Sequence, residues 1–242
     1  MKRFALLPCA VLVALLAGCS FLMPVTGSGT LTRSSYPAAG FSGIQASESF
    51  LVRVVPDSVY SVNVTCDNNL LKYLIVEHNS GGTLRLALVP GYNYVGVTLI
   101  AEVHMPVVTV IDVSGASTVR LDTGFAPTQG LTLVLSGAST CELTNVASGD
   151  LSIDISGASQ VTCTGSAAAI TLNVSGASRA DLLNCMGTRA TVHLSGASEA
   201  WVDVGAHPID LWASGASTLY YGGNPALVAR DLSGGSRIVR VR

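Results

Sequence analysis

An all-β chain, wound as a parallel β-helix-like solenoid of about 19–22 residues per coil behind a β-rich N-terminal cap, is the fold this sequence predicts. Three observations carry the expectation. The tetrapeptide Ser-Gly-Ala-Ser begins at Ser114, Ser136, Ser156, Ser175, Ser195 and Ser214, and a Ser-Gly-Gly-Ser variant begins at Ser233. One residue before each copy stands Val113, Leu135, Ile155, Val174, Leu194, Ala213 or Leu232, and three residues before stand Ile111, Leu133, Ile153, Leu172, Val192 and Leu211. Behind the motif the alternation resumes with Val119, Cys141, Val161, Ala180, Ala200, Leu219 and Ile238, and two places on with Leu121, Leu143, Cys163, Leu182, Val202 and Tyr221. Period two on both sides of a fixed tetrapeptide describes two half-buried strands joined by a corner. A unit this short cannot bury its own apolar face, so the coils must stack.

From the N-terminus, residues 1–18 read as a targeting peptide: Lys2 and Arg3 precede an apolar run from Phe4 to Leu16 that is short for a membrane span. Leu16-Ala17-Gly18-Cys19 resembles the bacterial lipoprotein signal, which implies cleavage before Cys19 and lipidation of its sulfur. Ser20 behind it favours, by the same resemblance, the outer membrane. Several acyl chains give stable anchoring without a transmembrane helix. Residues 19–39 are then the lipidated N-terminus and tether, and residues 40–242 a single domain.

Residues 40–107 lack the motif but still read as strands, at Phe50 to Val55, Tyr60 to Thr65, Thr83 to Leu88 and Val95 to Val103. Pro56-Asp57, Gly81-Gly82 and Pro90-Gly91 mark bends between them, and Asn68 to Tyr73 suits one short helical turn. This part is expected to form first coils or a cap continuous with the array.

Residues 108–242 hold the repeated coils. Gly115, Gly137, Gly157, Gly176, Gly196, Gly215 and Gly234 are expected to supply positive φ at the corners, with the flanking serines bonding backbone groups. Alanine is small enough to sit inside the bend, so leucine at Ala177 is expected to overpack it, costing about 1–3 kcal/mol. The leucine-rich skeleton and the glycine-rich calcium-binding nonapeptide, which have comparable periods, are absent.

Composition restricts the function classes. The chain has 242 residues, 12% of them charged, and a net charge of −2, with no basic stripe for nucleic acid. Arg230, Arg237, Arg240 and Arg242 read as a solvated cap on the last coil. With Cys9 removed and Cys19 lipidated, Cys66, Cys141, Cys163 and Cys185 remain in an oxidising compartment. Cys141, Cys163 and Cys185 stand at different offsets from their serines, too far apart along adjacent strands for a bridge, so Cys141 and Cys163 read as buried apolar filler.

Phe41-Ser42-Gly43-Ile44, Cys66-Asp67-Asn68-Asn69-Leu70-Leu71, Gly82-Thr83-Leu84-Arg85-Leu86 and Met105-Pro106, leading into Ser114-Gly115-Ala116-Ser117, together resemble the bacterial family called putative auto-transporter adhesin, head GIN domain. The resemblance spans Gly40 to Arg242 and implies a right-handed β-helix-like envelope domain. It carries over no catalytic residues. The regularity of the Ser-Gly-Ala-Ser series here exceeds what the family leads one to expect.

Because parallel β-helices also house lyases and glycosidases, the residues must decide about catalysis. Asp112 and Asp154 share a column two coils apart, a spacing compatible with paired carboxylates, but no dense polar cluster surrounds them. Gly-x-Ser-x-Gly is absent, His193 reads as a surface residue, and His78, His104 and His207 show no metal-ligand spacing. No catalytic residue, cofactor or metal is expected. Outward-facing Trp201, Trp212 and Tyr220 are the candidate binding surface, since flat side chains stack on sugars or pack against protein. The expected function is a non-enzymatic, lipid-anchored envelope module, adhesin-like, whose partner is a glycan or an envelope protein. The alternative is a structural envelope scaffold without small-molecule binding, with a polysaccharide lyase or hydrolase behind both.

Overall fold

A computed structural model of the chain describes residues 23–79, 81–125 and 128–242, apart from the side chains of Gln129, Ala229 and Arg230. Cys19 and the expected signal peptide lie outside the described residues. Each Ser-Gly-Ala-Ser copy joins two strands, one before the corner and one after it, and each kind stacks on its own sheet. Before the corner, Val110–Val113 pairs in parallel with residues 132–135, and the series continues through residues 151–155 and 170–174 to Ala190–Leu194, Ile209–Ala213 and Leu227–Leu232. Beyond the corner, Thr118–Leu121, residues 140–143 and 160–162, Arg179–Gly187, Glu199–Asp203, Thr218–Gly222 and Arg237–Arg240 follow in the same order. Residues 146–150 pair with 165–169, and 165–167 with 185–187, which closes the middle coils on a third side.

The period-two columns become the core. Ile111, Leu133, Ile153, Leu172, Val192 and Leu211 have no exposed surface, and neither have Val119, Cys141, Val161, Ala180, Ala200 and Leu219 across the corner. In register the residues of each series lie directly above one another, so two apolar columns fill the interior. The last coil is the exception: inward Leu232 is exposed and Ile238 only half-buried, where no further coil covers them.

Corners keep the backbone ladder closed. In the coil of Gly176, the amide of Ser175 donates to the carbonyl of Ile155 (2.9 Å), that of Ala177 to Gly157 (2.8 Å) and that of Arg179 to Ser159 (3.0 Å). The same trio recurs at Ser195, Ala197 and Glu199, and at Ser214, Ala216 and Thr218. Such stacking requires glycine twice over. Gly157, Gly176, Gly196, Gly215 and Gly234 have φ between +68° and +77°, which disfavours any β-carbon. A β-carbon at Gly176 would also lie 2.4 Å from the carbonyl oxygen of Gly157 one coil away.

The alanines do not sit inside the bend. Ala116, Ala138, Ala158, Ala177, Ala197 and Ala216 are all exposed, and it is the second serine, Ser117, Ser139, Ser159, Ser178, Ser198 or Ser217, that is buried. Each buried serine belongs to the inward phase of the strand that follows it. Their hydroxyls are used internally: Ser178 Oγ accepts from the Ser159 amide at 3.3 Å and donates to the Gly157 carbonyl at 3.3 Å, while Ser139 and Ser217 donate to the carbonyls of Ser136 and Ser214. Among the described residues no buried side-chain nitrogen or oxygen lacks a partner.

Below the first motif the chain order departs from the spatial order. Gly43–Ala46 and Leu51–Pro56 form a coil beneath Val110–Val113 and Thr118–Leu121, with a corner at Ser47 to Phe50 that has no glycine. Here Glu48 and Ser49 themselves adopt positive φ, 54° and 67°. Thr83–Leu88 and Leu99–Met105, later in sequence, stack underneath this coil. The end is then closed by antiparallel strands, Leu74–His78 on one sheet and Ser61–Asp67 followed by Leu31–Tyr36 on the other. Reversing direction at the end of a parallel stack removes it as a template for further parallel coils. The helical turn at Asn68–Tyr73 is a 3-10 helix, as its sequence suggests.

The tether boundary at residue 39 needs correction. Leu31–Tyr36 is the outermost strand of the cap, and Met23–Thr26 pairs in parallel with Tyr92–Val95. Buried Asp67 ties this segment down, accepting from the amides of Gly29 (2.6 Å) and Thr98 (2.8 Å).

All four cysteines in the described residues are buried and free. Burial pushes the Cys141 thiol up, which leaves it an inert filler. The neighbouring Cys185 thiol, together with burial, holds the Cys163 thiol up.

The corner makes two opposite predictions for adjacent residues. Gly176→Ala should cost at least about 1–2 kcal/mol for the left-handed backbone alone, lowering the melting temperature by several degrees, while Ala177→Leu, on an exposed side chain, should stay within about 0.5 kcal/mol of the parent. Thermal unfolding followed by circular dichroism measures both, and a larger loss for the leucine variant would contradict the outward alanines.

Candidate functional site

With the inward columns and the corners committed to packing, functional chemistry is left to the outward columns, where successive coils differ. On the sheet behind the corner, Trp201 and Tyr220 are register partners on adjacent coils. Parallel strands lie about 4.8 Å apart, and two flat side chains in one column therefore meet face to face. Their ring centroids are 4.5 Å apart and their planes 8° from parallel. The Arg179 guanidinium lies 3.8 Å from the centroid of the Trp201 ring, a cation–π contact that extends the stack by one coil. Towards the cap the same face carries exposed ion pairs, Arg120 with Glu142 at 2.9 Å and Arg53 with Asp122 at 2.7 Å. Each contributes little to stability, about 0–1 kcal/mol.

The sheet before the corner carries a second stack. His193 and Trp212 are register partners, with centroids 4.5 Å apart and planes 7° from parallel. They stand in a shallow groove of about 310 Å³ whose row runs Asp154, Asn173, His193, Trp212, Asp231, edged by Ser175, Ser195 and Ser214. Trp212 is thus on a different sheet from Trp201 and Tyr220, so the three aromatic residues form two platforms separated by the corner. His193 belongs to the groove rather than to a featureless surface. Its distance of 19 residues from Trp212, one coil, was the signal that places the two rings together.

The serines and glycines named from the sequence are all at corners, from Ser114 and Gly115 to Ser233 and Gly234. Hydroxyls of Ser156 and Ser175 donate to the carbonyls of Leu135 and Ile155 on the neighbouring coil, which is a structural use. Asp112 accepts a hydrogen bond from Gln45 Nε2 at 2.9 Å, and exposed Val134 stands between it and Asp154. Among the described residues no group of three or more His, Cys, Asp or Glu side chains is placed to hold a metal ion, and no helix is long and apolar enough to cross a membrane.

What the arrangement can do is present two aromatic platforms, one of them edged by hydroxyls and carboxylates. Comparison with known proteins gives this geometry a context. No curated protein matches the chain significantly. Among solved structures, one described as a putative adhesin from Bacteroides fragilis superposes with a TM-score of 0.77 at 16% identity, covering 90% of this chain and all of its own. A second, described as a putative adhesin from Parabacteroides merdae, gives 0.75 at 14% identity over 91% of this chain, and a third, described as a putative lipid binding protein from Parabacteroides distasonis, gives 0.71 at 17% over 90%, each along its whole length. At these identities the likeness shows the fold. The family described as putative auto-transporter adhesin, head GIN domain, matches residues 40–225, and the chain belongs to it.

Proposed function

We propose that this protein is a non-enzymatic binding module of the bacterial cell envelope, adhesin-like, anchored by lipid on Cys19 and holding a glycan or an envelope protein on its outward faces. The observation that carries the reading is the pair of stacked aromatic platforms, Trp201 with Tyr220 and His193 with Trp212. Aromatic residues that are not needed to fill a core, held rigidly on a sheet, supply contact area at low entropic cost. Membership of an adhesin family supports the same reading. Catalysis is not part of it, because the repeated serines bond to backbone and the carboxylates on the outward columns lack a supporting polar cluster. The outer membrane is the proposed location, on the strength of Ser20 behind Cys19.

A structural scaffold is the second reading. It is favoured by the backbone ladder that runs through four successive corners and stiffens the stack without any ligand. Replacing Trp201, Trp212 and Tyr220 together with alanine separates the two. Binding of the purified protein to isolated cell envelopes should fall at least several-fold for the triple variant, with the melting temperature little changed. Equal binding by parent and variant would contradict the binding module and leave the scaffold.

The anchor has its own test. Cys19→Ser should move the full-length protein from the membrane pellet to the soluble fraction after cell lysis, whereas a variant that remains wholly in the pellet would remove the basis for lipidation.

A further inference from the structure

We infer that the groove on the sheet before the corner is a site for an uncharged saccharide, which it selects against acidic ones. The inference rests on the binding-module reading and names the ligand of one of its two platforms. Because His193 and Trp212 are register partners that stack face to face, their ring normals run along the solenoid axis. One face of each ring is used by the other. Among the described residues, the second face of Trp212 looks towards Asp231 and that of His193 towards Asn173, side chains too short to cover an aromatic face. The stacked pair therefore stands across the row as a wall, with a polar step on either side.

Each step has what a pyranose ring requires. Its apolar C–H face packs on the aromatic wall, and its hydroxyls meet carboxylate and amide groups, which accept and donate at the spacing of adjacent coils. Ser195 and Ser214 edge the same groove. Charge then sets the class of sugar. Asp154 and Asp231 bracket the row and form no ion pair among the described residues, and no described Lys or Arg lines the groove. A uronic acid or phosphorylated sugar on the Trp212 side would set its negative charge against Asp231, and one on the His193 side would stand one strand from Asp154. The platform of Arg179, Trp201 and Tyr220 differs in carrying a guanidinium on its tryptophan, itself paired with Asp181 at 3.9 Å.

The test exploits the presence of only two tryptophans in the chain. Trp201→Phe leaves Trp212 as the sole tryptophan, and its emission reports the groove. The full chain carrying this substitution, in detergent, is titrated with neutral oligosaccharides (maltoheptaose, cellohexaose, xylohexaose) and with oligogalacturonate of matched length. The expected result is a saturable change in Trp212 emission with at least one neutral chain, about tenfold weaker when Asp154→Asn and Asp231→Asn are added, and none with oligogalacturonate until those two carboxylates are removed. Binding of oligogalacturonate as tight as that of the neutral chains overturns the inference, as does silence of Trp212 towards every neutral chain. If Trp212 is silent while envelope binding still depends on the three aromatic side chains, the ligand assignment fails and the binding module stands; loss of both removes both.

Discussion

The backbone ladder that passes through the Ser-Gly-Ala-Ser corners is the constraint on which the rest of the molecule depends. A parallel solenoid usually satisfies its backbone in the strands and has to make other provision where the chain turns. Here the turn itself is laddered, with the alanine amide of one coil donating to the glycine carbonyl of the preceding coil at 2.7–2.8 Å in four successive corners. That bond exists because the coils approach so closely at glycine that a β-carbon would overlap the neighbouring carbonyl. Repetition of the motif is thus a packing requirement: each corner is the floor for the next.

Rigidity at the corners fixes the columns on either side, and the columns divide the labour. Inward positions are apolar and interchangeable among Val, Leu, Ile, Ala and Cys, since each has only to fill its layer. Outward positions have no such duty and are where the coils acquire individuality. Two aromatic residues one coil apart on a fixed 4.8 Å pitch have little choice but to stack, so the array turns a simple sequence spacing into a preformed platform. Both platforms lie in the later coils, away from the antiparallel cap and its ion pairs.

Much of the fold was legible in the sequence because period two and a recurring tetrapeptide are both written locally. The inward columns, the corner glycines and the short helical turn at Asn68–Tyr73 are all where the pattern places them. The alanines were misread, since small size permits a residue inside a bend without sending it there. The better signal was phase: counting back by two from buried Val119 reaches Ser117, which is the residue that turns inward. The cap order was not legible, because nothing in Thr83–Leu88 or Leu99–Met105 says that these strands lie beneath the earlier coil. The corner at Ser47 to Phe50 escaped notice for want of glycine, its positive φ falling on Glu48 and Ser49. Of the candidate site, Trp201 over Tyr220 followed from the repeat, while the partnership of His193 with Trp212 required carrying the same spacing to a residue judged alone.

Amide hydrogen exchange at the corners tests the central claim most directly. The alanines at 158, 177, 197 and 216 have exposed side chains in what looks like surface turn, and ordinary turn amides of that kind exchange quickly. If the ladder runs through the corners, their amides should be protected to the same degree as those of the buried strand residues Leu172 and Val192. Exchange of these four amides at the rate of an open loop, with the flanking strands still protected, would contradict the account.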